Sequence, residues 1–233
     1  MSKKYRGFLI DADNTIFDYD RAEKEALFEV LKDLGYTGLF ETAQSYFSKI
    51  NTSLWQAVES REITINQIKT RRFAELLPKL GLSNDPDKIA SHYLDILSQK
   101  AYLIPNSVAV LEKLSKQAVI SMITNGLAYV QRGRIARSEI EVFFNDIIIS
   151  EEIGFSKPDP QFFQKAIKSL YLPVHEILCI GDSLSADIKG GQNAGLDTCW
   201  FNQKNEAVPS YIDEPTYIIN NLKQLESFLP PLS

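Results

Sequence analysis

The sequence predicts an α/β fold: a doubly wound, Rossmann-like parallel sheet with an all-helical cap domain inserted after its first strand. Three observations predict it. Short apolar runs bounded by polar or glycine-containing stretches recur along the chain, and the segments between the later runs carry helical periodicity. More than a hundred residues separate the first run from the second, far more than a crossover needs. Short β-branched runs of this kind read as buried strands, and strands alternating with helices read as a parallel sheet covered on both faces.

The elements follow in order. The first strand is the apolar run at residues 8–10. In the long interval after it, Ala22, Ala26, Leu27, Val30 and Leu31 share one helical face until Gly35 stops the pattern. Thr64 is placed to cap a helix carrying Ile65, Ile68, Phe73, Leu76 and Leu80 as far as Gly81, and Asp85-Pro86 opens another through Ile89, Tyr93 and Leu97. An Asp N-cap followed by Pro is a start signal because Pro gives up an N–H that a first turn leaves unpaired anyway. These segments assign residues 19–103 to a helical cap and residues 1–18 with 104–233 to the core. Later strands are expected at 119–123, 147–149, 177–180, 198–201 and 217–219. Between them lie helices carrying Val108, Leu111 and Leu114, and, after Asp159-Pro160, Phe162, Phe163, Ala166, Ile167 and Leu170.

Composition narrows the function. At 233 residues, 44% apolar and 24% charged, the chain is an ordinary globular protein with room for one core and an appendage. A net charge of −5 and a pI near 5.2 argue against polymeric nucleic acid and anionic membranes as partners, since either wants a basic face. Cys179 and Cys199 sit inside apolar runs and read as inert core thiols. Without a membrane-length apolar run or a signal-peptide pattern, the expected location is cytoplasmic and the expected state a monomer or homodimer.

The polar residues collect where the strands end. Asp11 and Asp13 follow the first strand, Thr124-Asn125-Gly126 the second, Ser150 and Lys157-Pro158 the third, and "GDSLSAD", with Asp182 and Asp187, the fourth. Each piece alone reads as a turn or a helix cap, and Asp-x-Asp-x-Thr arises by chance in roughly one chain in thirty of this length. In an open parallel sheet, however, the C-terminal strand ends form the ligand crevice, so four distant stretches converge on one place.

Convergence has an electrostatic consequence. Two like charges 4 Å apart repel by about 4 kcal/mol at an effective dielectric near 20, so these carboxylates need a cation among them. Oxygen-only ligands, with His92 and His175 outside the clusters, suit Mg²⁺ with a substrate phosphate. Lys157, Thr124 and backbone N–H groups after Asp11 would supply the donors that an oxyanion requires. A carboxylate nucleophile, a second carboxylate for proton transfer, a metal and a Lys together make a phosphoryl-transfer site.

"DADNT", "ITN", "GFSKPDP" and "GDSLSAD" resemble, in order and spacing, the four motifs of the haloacid dehalogenase (HAD) superfamily of phosphohydrolases, and the helical insert resembles that superfamily's C1 cap. More narrowly, "NTSLWQAVESREIT", "RRF", "SEEIGFSKPDPQFF" and "GGQNAGLDTCWFN" are similar to the pyrimidine 5′-nucleotidases that clear noncanonical nucleotides. The resemblance implies that Asp11 is the nucleophile and Asp13 the general acid and base. It implies that Thr124 and Lys157 hold the phosphoryl group, with the Asn14 and Asn125 backbone amides as further donors. Asp11, the Asp13 carbonyl and Asp182 would bind Mg²⁺, with Asp187 acting through a water or orienting Lys157. Ala12, where Leu or Phe is commoner, and Asn14, where Asp or Gly is commoner, depart from the pattern. Ala12 would leave room for a substrate or for packing of the flap.

The expected activity is therefore Mg²⁺-dependent hydrolysis of a small phosphate ester, a pyrimidine nucleoside monophosphate first. The alternatives are a sugar-phosphate phosphatase or phosphomutase of the same superfamily and, in a different class, a phosphoacceptor signalling or binding module. Trp55, Phe73 and the flap residues Phe17 and Tyr19 are candidates for stacking on a base or for packing in the cap.

Overall fold

A computed structural model describes residues 3–60, 62–210 and 212–231. Six parallel strands, β1 (Gly7–Asp11), β2 (Val119–Thr124), β3 (Asp146–Ile149), β4 (Ile177–Gly181), β5 (Asp197–Phe201) and β6 (Tyr217–Ile219), form one sheet in the order β3-β2-β1-β4-β5-β6. The chain fills one side of β1, then returns to fill the other. The order therefore reverses between β1 and β4, which pair through Gly7↔Ile177 to Ile10↔Ile180. That is the switch point at which such sheets bind ligands.

β1 is buried along its whole length because both faces of the sheet are covered. Phe8 and Ile10 point into one core layer with Val110, Leu111 and Leu114 of α5 (Ser107–Ser115). Leu9 points into the other with Phe162, Phe163, Ala166 and Leu170 of α8 (Pro160–Leu170). The two-residue alternation of the strand thus divides one apolar run between two layers. Both cysteines are buried and free.

Between β1 and α5 lie four helices, α1 (Tyr19–Asp33), α2 (Phe40–Glu59), α3 (Ile65–Lys79) and α4 (Pro86–Gln99), which share a separate apolar core. Phe47, Phe73 and Tyr93 pack at its centre with ring centroids 5.2 to 5.7 Å apart. Local sequence fixes the helix ends. Gly35 and Gly81 follow α1 and α3 with positive φ, the Gln67 side chain accepts from the Thr64 N–H at 2.8 Å, and Asp85 accepts from the Asp87 N–H at 3.0 Å. α2 has no side-chain cap at Leu39. No cap residue or proline in the sequence marks its start. The remaining helices are α6 (Ala128–Ser138), α7 (Ser150–Ile153) and α9 (Lys189–Asn193).

The two segments joining the helices to the sheet run side by side. Phe17 bridges Leu103, Asp18 N–H donates to the Tyr102 carbonyl at 2.9 Å, and Ile104 N–H donates to the Ile16 carbonyl at 2.9 Å. Among the described residues no helix is long and apolar enough to cross a membrane.

Candidate active site

Asp11 ends β1, 5% exposed, and the chain turns at once. The Ala12 carbonyl accepts from Ile16 and Phe17 N–H, and Asn14 N–H donates to the Phe17 carbonyl at 2.7 Å. Asn14 adopts a positive φ of 58°, a conformation Asn tolerates better than most residues, and its side chain bonds Asp20. This turn corrects two expectations and chooses between the two held for Ala12. The Asn14 amide, expected to donate to phosphate, is spent on Phe17. The Ala12 side chain is buried in the sheet core and leaves no room for substrate; a small residue there lets the turn pack down. Phe17, a candidate substrate contact, is also in that core and does not line the cavity.

Asp13 points the other way, and both of its oxygens are held from α6. Gln131 Nε2 donates to Oδ2 at 2.8 Å and Arg134 Nη1 to Oδ1 at 2.5 Å. Arg134 is fully buried, with its guanidinium carbon 4.4 Å from the centroid of the Phe17 ring. Gln131 also donates to Thr124 Oγ1 at 2.8 Å, beside Gly126 N–H at 3.0 Å. With two bonds accepted, the Thr124 hydroxyl keeps its own hydrogen to give. Gly126 leaves the Gln131 side chain in place here, because a Cβ on it would fall 2.2 Å from Gln131 Nε2 and push it aside.

Lys157 is 2% exposed and anchors the centre. Its Nζ donates to Asp11 Oδ1 at 2.6 Å and to Asp187 Oδ1 at 2.7 Å. The Asn125 side chain fixes the Lys157 backbone through two 2.8 Å bonds, to its N–H and to its carbonyl. Asn125, expected to contribute its amide to phosphate, thus has a side-chain task the sequence analysis does not anticipate. Asp187 lies on a π-helical turn, Leu184–Ile188, and its second oxygen accepts from Ser183 N–H at 3.1 Å. A Cβ on Gly181 would fall 2.1 Å from that oxygen, so only glycine at the end of β4 lets Asp187 lie under the site.

Asp11, Asp182 and Asp187 each offer an oxygen within 4.8 Å of the others. Asp11 Oδ2 is buried without a hydrogen-bond partner, whereas both Asp187 oxygens are engaged. Burial, assisted by Asp187 and Asp13 and opposed by Lys157, pushes the Asp11 carboxyl up to about 7. Burial first, then Asp11 and Asp187, raises the Asp182 carboxyl well above the usual range. The single ammonium of Lys157 does not balance these groups. An orphaned carboxylate oxygen among all-oxygen donors fits a hard divalent cation such as Mg²⁺.

A cavity of about 200 Å³ opens from this cluster towards the helices. Asp11, Asp13, Thr124, Lys157 and Asp182 line its floor, and Tyr19, Trp55, Arg72, Leu94 and Leu97 line its far side. Asp11, Asp13, Asn14, Thr124, Asn125, Gly126, Lys157, Asp182 and Asp187 therefore converge, Ser150 does not line the cavity, Trp55 and Tyr19 reach it, and Phe73 remains in the helical core. Sequence reasoning missed Gln131, Arg134 and Arg72. The only signal for the first two was their spacing of three on one face of the helix after Thr124-Asn125-Gly126. His92 pairs with Asp33 at 2.9 Å, and His175 lies in a separate turn, so neither joins the site.

The comparisons with known proteins agree with this geometry. The family model for haloacid dehalogenase-like hydrolases matches residues 8–201. The solved structure of the HAD-hydrolase YfnB of Bacillus subtilis, bound to magnesium, superposes with a TM-score of 0.90 at 35% identity, covering 97% of this chain and 99% of that one. The pyrimidine 5′-nucleotidase PynA of Streptococcus pneumoniae is 32% identical over 95% of this chain and 93% of its own length. The pyrimidine 5′-nucleotidase YjjG of Escherichia coli is 31% identical over 97% of this chain and 98% of its own.

Proposed function

The chain belongs to the haloacid dehalogenase-like hydrolase family, and from that membership we propose that it hydrolyses pyrimidine nucleoside 5′-monophosphates through a phosphoryl group carried on Asp11. The observation that carries this reading is the pairing of an unpartnered, buried Asp11 Oδ2 with an Asp13 carboxylate at the mouth of the same strand.

An Asp11 carboxylate oxygen attacks phosphorus in line with the ester oxygen, forming the Asp11 O–P bond as the P–O bond to the nucleoside breaks. Asp13 gives its proton to the departing 5′-oxygen. Asp13, now a carboxylate, takes a proton from water, which attacks phosphorus and returns Asp11 as phosphate leaves. Lys157 and the Thr124 hydroxyl hold the phosphoryl oxygens throughout, at donors already fixed by Asp11, Asp187 and Gln131. Asp11, Asp182 and the Asp13 carbonyl would hold Mg²⁺, which would supply the positive charge that carboxylates and a phosphate dianion jointly need. Asp187, its oxygens engaged by Lys157 and Ser183, orients Lys157.

Residues 19–103 serve as the cap that selects the leaving group, because the core contacts can recognise only phosphate. The names of PynA and YjjG support a pyrimidine nucleotide as that substrate. The test is Mg²⁺-dependent phosphate release from UMP, dUMP, dTMP, a purine monophosphate and several sugar phosphates, with Asp11→Asn beside the wild type. Release favouring pyrimidine nucleotides, abolished in the variant, is expected. A preference for sugar phosphates discards the substrate, and activity in Asp11→Asn discards the nucleophile.

A further inference from the structure

Arg72 is 1% exposed, lines the far side of the cavity, and has an Nη1 with no hydrogen-bond partner among the described residues. Its Nε donates to the Ile68 carbonyl at 3.2 Å, one turn back on α3, which fixes the base of the guanidinium and leaves Nη1 unsatisfied. A buried charged donor without an acceptor costs far more than a paired one, so such a group points to a ligand. Beside it, Trp55 lines the same cavity and, among the described residues, makes neither a ring-to-ring contact nor a side-chain hydrogen bond. Leu94, Leu97, Leu127 and Val130 complete an apolar wall.

We propose, building on the hydrolase reading above, that Arg72 and Trp55 form the leaving-group subsite: Trp55 covers the plane of a pyrimidine base and Arg72 donates to one of its carbonyl oxygens. Two features separate this ligand from others. An apolar wall with one aromatic face suits a flat ring, whereas a bare sugar would leave its hydroxyls against leucines. A second phosphate is disfavoured, because Glu23 already lies close to Arg72: burial pushes the Glu23 carboxyl up to about 7, and Arg72 is the foremost charge opposing that rise. A neutral acceptor completes the fork without adding a charge to that pair.

The experiment compares kcat/KM for UMP and for phenyl phosphate, a flat ester without a carbonyl, in wild type, Arg72→Met and Arg72→Lys. The UMP to phenyl phosphate ratio should fall at least about tenfold in Arg72→Met, the scale of losing a bond from a charged donor, mainly through KM, with partial recovery in Arg72→Lys. A ratio unchanged in Arg72→Met, including the case where both substrates decline together, overturns the subsite. A second arm needs no variant: the wild type should prefer UMP to ribose 5-phosphate at least about tenfold, and equal use of both also overturns it. Failure to release phosphate from any ester would overturn the hydrolase reading itself, an outcome distinct from hydrolysis without base preference.

Discussion

Asp11 ends β1 with one carboxylate oxygen bonded to Lys157 and the other unpartnered, and that asymmetry governs how it should titrate. Burial raises its carboxyl from 3.8 to about 7, so between those values the folded protein holds a proton that the unfolded chain releases. Stability of the metal-free protein from this group therefore falls as pH rises through that window. Mg²⁺ takes the place of the proton, so its stabilising effect should be small on the acid side of the window and grow towards the alkaline side. Thermal unfolding with and without Mg²⁺ across this range measures it; an increment in Tm independent of pH would contradict the assignment of Asp11 as a ligand. Asp11, Asp13, Thr124 and Asp182 were legible because each stands beside an apolar run that announces its strand, and Lys157 because it sits in "GFSKPDP", one of the four motifs in order. Arg72 was legible only within "RRF", a stretch that resembles the nucleotidases without giving the residue a role; two adjacent Arg in a helical pattern have the look of a solvated face, and only tertiary packing buries Arg72.

At the scale of elements, β1, β4 and α6 each bring part of one constellation. The switch between β1 and β4 sets Asp11 beside Asp182, and α6, starting just after Thr124-Asn125-Gly126, lays Gln131 and Arg134 across Asp13. In the proposed mechanism Arg134 is a positioning residue, acting on the reaction through Asp13. Arg134→Met should lower kcat by about 10- to 100-fold with KM little changed, because a carboxylate displaced by an ångström misses the leaving oxygen in the transition state rather than in binding. Steady-state kinetics with UMP check this, and a raised KM at unchanged kcat would place Arg134 in substrate binding instead. The strands were readable nearly to the residue, since parallel strands buried on both faces are continuous apolar runs. α2 was harder to delimit. Ala43, Phe47, Ile50, Leu54 and Val58 carry its buried face, yet its start has no side-chain cap to mark it.

Across the whole molecule, two separately cored bodies meet over one cavity. Leu127 and Val130 of the segment entering and forming α6 pack into the helical core, and Lys69 on α3 reaches Glu151 on α7 at 2.8 Å. The paired connections at Phe17 and Leu103 hold the bodies in register while Asp13, one turn away, keeps its place between them. A reaction that needs water excluded in one half and admitted in the other suits such a seam. The most direct test of this account is mass spectrometry of the Mg²⁺-bound protein quenched during turnover of UMP, reading the tryptic peptide of residues 7–21. An adduct one phosphoryl group heavier, localised to Asp11 and absent from Asp11→Asn, is expected. An adduct on a different residue, or sustained turnover with no adduct at any quench time, would contradict it.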